Sequence, residues 1–365
     1  MKGAISRRAA LGVGGLGLAG AGLLALPRNG VMAAGKKYRI ALSNSYIGNK
    51  WRIEMQNVFK AALQMEPYKS QVEGSWYNSG NDVSKQSQQF INLIAERVDA
   101  IITDAASPTG LNGIIKQATD HGIVVISFDN IVTAPSAANI ETNDLEFGRQ
   151  GADWLVKKLN GAGSIVMVTG VAGAPVDNDN IRGADAVFKQ HPGIKVVNRY
   201  TGMWDSSVAE RNTSAVLPSL PKIDGIWCNG GTDGVLKAFV AAKRTPLPPT
   251  AGEAENGFRK FMVGYMGEKV EGISIGHPPY LSIVALELAR RILSGEHPRK
   301  GIPLPFPYVT NETVKVGESV FPDLPDSFYP DFTDSGPNAV VRLCVGAALD
   351  GKPCPGPLTV NLPTA

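Results

Sequence analysis

Histidine and cysteine are scarce in this chain of 365 residues, with four of the first and three of the second. His121, His191, His277 and His297 stand singly, without the spacing that metal ligands need, so no metal is expected. Nucleotide and nucleophile signatures are missing as well. Gly170–Gly173 lacks the third glycine of a dinucleotide loop, and no G-x-S-x-G elbow occurs. No cofactor, no catalytic residue and no enzymatic turnover are therefore expected. A basic excess is missing once residues 1–34 are set apart. They hold Lys2, Arg7, Arg8 and Arg28 and no acid, which leaves 32 Lys and Arg against 33 Asp and Glu, a net of −1. That balance does not suit nucleic acid. A repressor would need an N-terminal DNA-reading helix-turn-helix, and a different segment stands there.

That segment has a charged head, an apolar middle from Leu11 to Leu26, and small residues at Val31, Ala33 and Ala34. Its glycine-rich middle is shorter than the ~20 residues of a membrane span. The pattern is that of a cleaved export signal over 1–34, and Arg7-Arg8 after Ser6 suits the twin-arginine route. A periplasmic location follows. Disulfides survive there, and Cys344 and Cys354, close together among Gly and Pro, are expected to close a small loop. Cys228, after an apolar run, reads as a buried free thiol.

Beyond the leader, strand-like and helix-like runs alternate. Strands are expected at Arg39–Ser43, Val72–Trp76, Val98–Thr103, Ile123–Phe128, Ser164–Thr169, Lys195–Tyr200, Ile223–Cys228, Phe261–Tyr265 and Gly272–Ile275. Between them lie runs with helical spacing, such as Asn49–Gln64 with Trp51, Met55, Val58, Phe59 and Ala62 on one face. Continuous apolar runs such as IVVIS suit parallel strands covered on both sides. The fold class is α/β, with parallel sheets and right-handed crossovers, and the length favours two lobes. Ligands in such folds sit beyond the C-terminal strand ends. Here those loops are rich in Asp, Asn, Arg and Trp, each of which singly also reads as a cap or turn former. Their recurrence in both halves points to a shared cleft.

The ordered set ALSNSYIGNKW, VDAIITDAAS, IVVISFDN, TNDLEFGRQGADWL, IRGADAVF, IDGIWCNGGTDGVLKAF and ISIGHPP resembles the type I periplasmic solute-binding proteins of ABC importers, in their ribose-binding-like branch. The likeness runs from about Lys36 to Thr313. It implies two Rossmann-like lobes joined by a three-segment hinge, with crossings near residues 140–143, 277–278 and 302–309. Lobe one would hold 36–141 plus 278–304 and lobe two 142–277. Residues 305–365 would form the last crossing and a Pro-rich extension, an extended strap laid over a lobe and pinned by the Cys344–Cys354 bridge.

The resemblance also implies a ligand set. From lobe one come Asn49, Trp51 and Arg52, then Asp104, then Asp129 with Asn130. Trp51 reads equally as a stacking ring and as core, and Arg52 and Asn130 depart from the ribose pattern. From lobe two come Arg182, Trp204, Asn229, Asp233, Glu253 and His277. A carboxylate accepts from two neighbouring hydroxyls at once, which suits Asp129 to a polyhydroxylated ligand. Arg182 also reads as a surface arginine near the start of a helix, and His277 as a structural imidazole. The implied function is a monomeric receptor that captures a monosaccharide or polyol and passes it to an inner-membrane ABC permease. The alternative is a receptor for a sugar acid or a signalling furanose, with a possible link to chemotaxis.

Overall fold

The computed structural model describes residues 36–299, 301–331 and 340–362. The export-signal reading of 1–34 lies outside them. The first sheet collects β1 (Tyr38–Asn44), β2 (Val72–Asn78), β3 (Ala100–Asp104), β4 (Val124–Phe128) and β5 (Ala138–Thr142), with a later strand, β11 (Gly301–Leu304). Their order across the sheet is β11-β5-β4-β3-β1-β2, and every pairing is parallel. The helices α1 (Lys50–Ala62), α2 (Tyr68–Gln71), α3 (Val83–Ala95) and α4 (Asn112–Asp120) alternate with these strands.

The second sheet collects β6 (Gly163–Thr169), β7 (Ile194–Thr201), β8 (Gly225–Cys228), β9 (Thr250–Glu253), β10 (Gly272–Ile275) and β12 (Tyr308–Thr310). Its order is β12-β10-β9-β8-β6-β7, parallel except for the last strand, β12, which runs antiparallel to β10. Its helices are α5 (Asp144–Lys158), α6 (Pro175–Gln190), α7 (Ser206–Val216), α8 (Thr232–Ala241) and α9 (Asn256–Met262). The chain passes between the sheets after β5, after β10 and between β11 and β12. After β10 it forms α10 (Leu281–Leu293), which packs on β1, β3, β4 and β5 of the first sheet. The two-lobed α/β architecture matches the expectation.

Parallel strands buried on both faces explain the apolar runs. Ala100, Ile101 and Ile102 of β3 alternate between two separate apolar clusters on opposite sides of sheet one. One expected strand is not a strand. Phe261 and Met262 lie in α9, where Phe258, Phe261 and Met262 share a buried face at helical spacing. The strand of that unit is Thr250-Ala251-Gly252-Glu253, four small or polar residues with no apolar run to betray it. In the second cluster Cys228 is a buried free thiol.

The C-terminal extension carries α11 (Val345–Asp350), and a disulfide joins Cys344 to Cys354. It does not keep to one lobe, as set out below. Among the described residues, no helix is long and apolar enough to cross a membrane.

Candidate functional site

On the first sheet's side the site begins with a helix cap. Asn49 Oδ1 accepts the Arg52 N–H (2.9 Å) and starts α1, whose first turn carries Trp51 and Arg52 to the strand ends. Trp51 belongs to the core of lobe one, its indole N–H donates to the carbonyl of His277 (2.6 Å), and it lines the cavity.

The Arg52 guanidinium lies 5.4 Å from the centre of the Trp51 ring and donates to Asn44 Oδ1 (2.9 Å). It is paired with Asp104 and, at 3.2 Å, with Asp129. Burial pushes its pKa down while Asp129 pulls it back up. Asn130 completes the cluster by donating to Asp104 Oδ1 (3.0 Å) and Asp129 Oδ2 (3.1 Å). The turn that exposes Asp129 has a left-handed backbone (φ 56°), a conformation Asp tolerates better than most residues.

On the second sheet's side, Asp177 in the first turn of α6 accepts from the Gly170 N–H (2.6 Å) and from Asn229 (2.8 Å). Asn180 donates to Asn229 Oδ1 (3.0 Å), so the Asn229 side chain is held from two sides. Met203 and Trp204 both have left-handed backbones (φ 55° and 52°), which is strained for bulky side chains and places the indole at the cavity. Gly230 leaves the space that this needs. A Cβ there would stand 2.6 Å from Glu253 Oε2 and 2.8 Å from Trp204 Cδ1.

Glu253 closes β9 and is buried. Burial drives its pKa up to about 7, His277 opposing and Asp129 and Asp331 adding to the rise. Its Oε2 has no hydrogen-bonding partner among the described residues. His277 follows β10, with Nε2 3.0 Å from Asp144 Oδ1 and Nδ1 3.7 Å from Glu253 Oε1. Phe147 and Phe306 hold the imidazole between them, each ring centre 4.6 Å away. Burial opposes its charging, but Asp144, Glu253 and Asp129 outweigh that and raise its pKa.

Between the two sheets these groups line a cavity that is partly open to solvent. Of the expected set, Asn49, Trp51, Arg52, Asp129, Asn130, Trp204, Asn229, Glu253 and His277 line it, together with Val176 and Tyr329. The space open to the centre of a water molecule is about 60 Å³, a compact site for one small solute.

Three expected residues stand elsewhere. Asp104 is wholly buried behind the cavity and acts through Arg52 and Asn130. Asp233 is buried in the first turn of α8, where Ser206 and Lys237 (2.7 Å) take up its carboxylate. Arg182 stands outside the cavity lining. Its side chain is 65% exposed and paired with Asp179 (2.9 Å), because α6 turns that position to solvent while Asn180, Gly183 and Ala184 face inward. Asp144 and Asp177 escaped the sequence reading although both sit in loops or first turns at strand ends. Tyr329 escaped it because the tail carries no periodic pattern.

Two tryptophans, a tyrosine and two carboxylates line one cavity, and these groups can stack on C–H faces and accept from hydroxyls. That is a site for a small molecule carrying both C–H faces and hydroxyl groups. Among the described residues, no group of three or more His, Cys, Asp or Glu side chains is placed to hold a metal ion.

Comparison with known proteins agrees with this geometry. The chain is 30% identical over 181 residues to a xylitol-binding protein of Mycolicibacterium smegmatis, covering 48% of this chain and 52% of that protein. It thus spans about half the length of that relative. It is 26% identical over 220 residues to a D-ribose/D-allose-binding protein of Pseudomonas aeruginosa, covering 57% of this chain and 67% of the other. The crystal structure of an ABC transporter solute binding protein from Thermobispora bispora superposes with a TM-score of 0.66 at 27% identity, covering 74% of this chain and 84% of that one. Residues 40–297 match the family model described as a periplasmic binding protein domain, well over half the chain. The chain therefore belongs to the periplasmic binding proteins, in their type I, ribose-binding-like branch.

Proposed function

We propose that this protein is the exported receptor of an ABC importer and binds one neutral monosaccharide or polyol between its lobes. The observation that carries the reading is the cavity itself. Each sheet contributes an indole and a carboxylate, Trp51 with Asp129 and Trp204 with Glu253. Residues 36–141 plus 278–304 and residues 142–277 act as the two lobes, and bending at the three crossings closes them over the solute. Release to an inner-membrane permease follows reopening. The leader read in residues 1–34 would place the mature chain in the periplasm, where it works as a monomer.

The charge of the site favours a neutral solute over a sugar acid. Arg52 is already engaged by Asp104 and Asp129, and Arg182 is on the outer surface. An incoming carboxylate would therefore meet Asp129 and Glu253, while His277 is already held by Asp144 at 3.0 Å, and like charges in a buried site repel. Each ligand hydroxyl left unpaired on burial would cost ~1–3 kcal/mol, which supplies selectivity.

Thermal-shift measurements with xylitol, D-ribose, D-allose, D-glucose and D-glucuronate test this. A bound compound at a hundredfold excess over its dissociation constant adds ~2.7 kcal/mol of apparent stability. A response to a neutral compound with none to glucuronate is expected. A response to glucuronate alone would replace this reading with the sugar-acid one.

A further inference from the structure

The C-terminal extension is tied to both lobes, and it enters the cavity at the place where it changes from one to the other. On lobe two, Asn256 at the start of α9 donates its backbone N–H to the Phe328 carbonyl (2.8 Å) and its side-chain amide to that of Phe321 (2.8 Å). Arg259 pairs with Asp331 and donates to the Ser319 carbonyl (3.0 Å), while Lys237 and Lys260 both reach Asp326 at 2.8 Å. On lobe one, the backbone N–H of Tyr329 donates to both carboxylate oxygens of Glu54 in α1, each at 3.2 Å. Phe328 and Tyr329 pack in the apolar cluster of that lobe, as do Val341, Leu343, Ala347 and Ala348 further on. Asn57 of α1 holds the carbonyls of Ala348 and Leu349 at 2.8 and 2.9 Å.

Tyr329 is buried, and it lines the cavity beside Trp51, Trp204 and Glu253. Its backbone is fixed by Glu54 on one side, and the neighbouring Phe328 is fixed by Asn256 on the other. A ring held in this way is in position before a ligand arrives, so little ordering cost remains to be met on binding. Burial, with Glu253, Glu255 and Glu54 nearby, raises the phenol pKa well above its usual value, so the hydroxyl stays a donor.

We infer that Tyr329 is a ligand-contacting, specificity-determining residue supplied by the strap. It forms a third aromatic wall, set against a C–H face of a compact polyol whose hydroxyls meet Asp129 and Glu253. Glu54 is its positioning residue. This rests on the polyol reading of the cleft given above.

Titration calorimetry on the full mature chain, with xylitol, D-ribose, D-allose and D-glucose, tests it. Wild type, Tyr329→Phe, Tyr329→Ala and Glu54→Gln are compared, with circular dichroism and melting as checks on folding. Loss of the hydroxyl in Tyr329→Phe should weaken the preferred compound about 3- to 10-fold. Removal of the whole wall in Tyr329→Ala should weaken it more than tenfold and shift the order of preference toward the six-carbon sugars. Glu54→Gln should shift that order in the same direction by less. A change in the ratio between compounds is something a purely structural role would not produce. Should Tyr329→Ala not fold, Tyr329→Leu keeps the volume and carries the same comparison. Wild-type affinities for every compound in the alanine or leucine variant would overturn the inference while leaving the polyol reading intact. If the wild type itself binds none of the four, the polyol reading fails, visibly in that arm alone, and the inference falls with it.

Discussion

The two walls of the cleft are built on opposite electrostatic plans. On lobe one, Arg52, Asp104, Asp129, Asn130 and Asn44 satisfy one another through charge pairs and hydrogen bonds. On lobe two, Glu253 is buried with one carboxylate oxygen unpartnered among the described residues, and its charge is disfavoured enough to carry its pKa to about 7. A wall of the first kind is rigid before binding and stabilises the fold. A wall of the second kind costs stability until a donor arrives, so a ligand hydroxyl has more to gain there. On the proposed reading, the difference assigns stability chiefly to one wall and selectivity chiefly to the other.

Removing the centre of the first wall should have the largest effect. Arg52→Met leaves Asp104 and Asp129 without their cation, and breaking a buried pair from one side costs ~3–5 kcal/mol. Urea denaturation should show a loss of that size in the ligand-free protein. A loss below ~1 kcal/mol would mean the cluster is not structural, and the contrast between the walls would collapse.

Glu253→Gln should move the two properties in opposite directions. Ligand affinity falls ~10- to 100-fold, as expected when a charged acceptor of ~1.5–3 kcal/mol is lost. Ligand-free stability at pH 8 rises, because a buried charge is gone and the amide keeps the shape. An equal fall in both would make Glu253 a structural residue like Arg52.

The same carboxyl sets a pH dependence. Its ordinary pKa is 4.5 and its folded value about 7. Below 4.5 both states hold the proton. Between 4.5 and about 7 the unfolded chain releases it while the folded chain keeps it, so stability falls as pH rises, and above about 7 the cost is fully present. His277 acts with the same sign. Its folded pKa is raised above 6.5, so its contribution is complete below that value and is lost as pH rises through the folded one. The melting temperature of the ligand-free protein should therefore decline from pH 5 to pH 8. Binding to the ionised Glu253 should strengthen over the upper part of that interval. Melting and calorimetry across the range, repeated on Glu253→Gln, should show a shallower slope, the remainder belonging to His277 and to Glu54 and Glu255, whose pKa values burial also raises.

How much of this was legible beforehand depended on the kind of signal. Repeating apolar runs such as IVVIS and helical faces such as that of α1 are dictated by burial, and they announced two α/β lobes. The strand Thr250–Glu253 was hidden because small residues covered on both sides leave no hydrophobic trace. Loop residues at strand ends could be placed at the cleft from topology alone, and Asn49, Asp129 and Asn229 lie there. Which side chains a cluster uses internally was not legible. Asp104 and Asp233 are consumed by neighbours that come together only in three dimensions. Tyr329 was invisible for a further reason, since its place depends on its own hydrogen bonds to Glu54 and on that of its neighbour Phe328 to Asn256, both far away along the chain, and not on any local pattern.

The smallest expected effect is the most direct check on where the second wall ends. A position near a helix start in a solute-binding fold invites an arginine into the ligand set, and Arg182 has the right chemistry. Helical geometry decides otherwise. In α6 the inward face carries Asp177, Asn180, Gly183, Ala184, Val187 and Phe188, and position 182 falls outside it, paired with Asp179 one turn earlier. An exposed pair of that spacing contributes ~0.3–0.5 kcal/mol. Arg182→Ala should accordingly leave ligand affinity within twofold of wild type and shift stability by no more than that pair. A tenfold loss of affinity would require α6 to rotate by a large part of a turn on binding. That would unseat Asp177 and Asn180 from Asn229, and the second wall would then be assembled by the ligand rather than waiting for it.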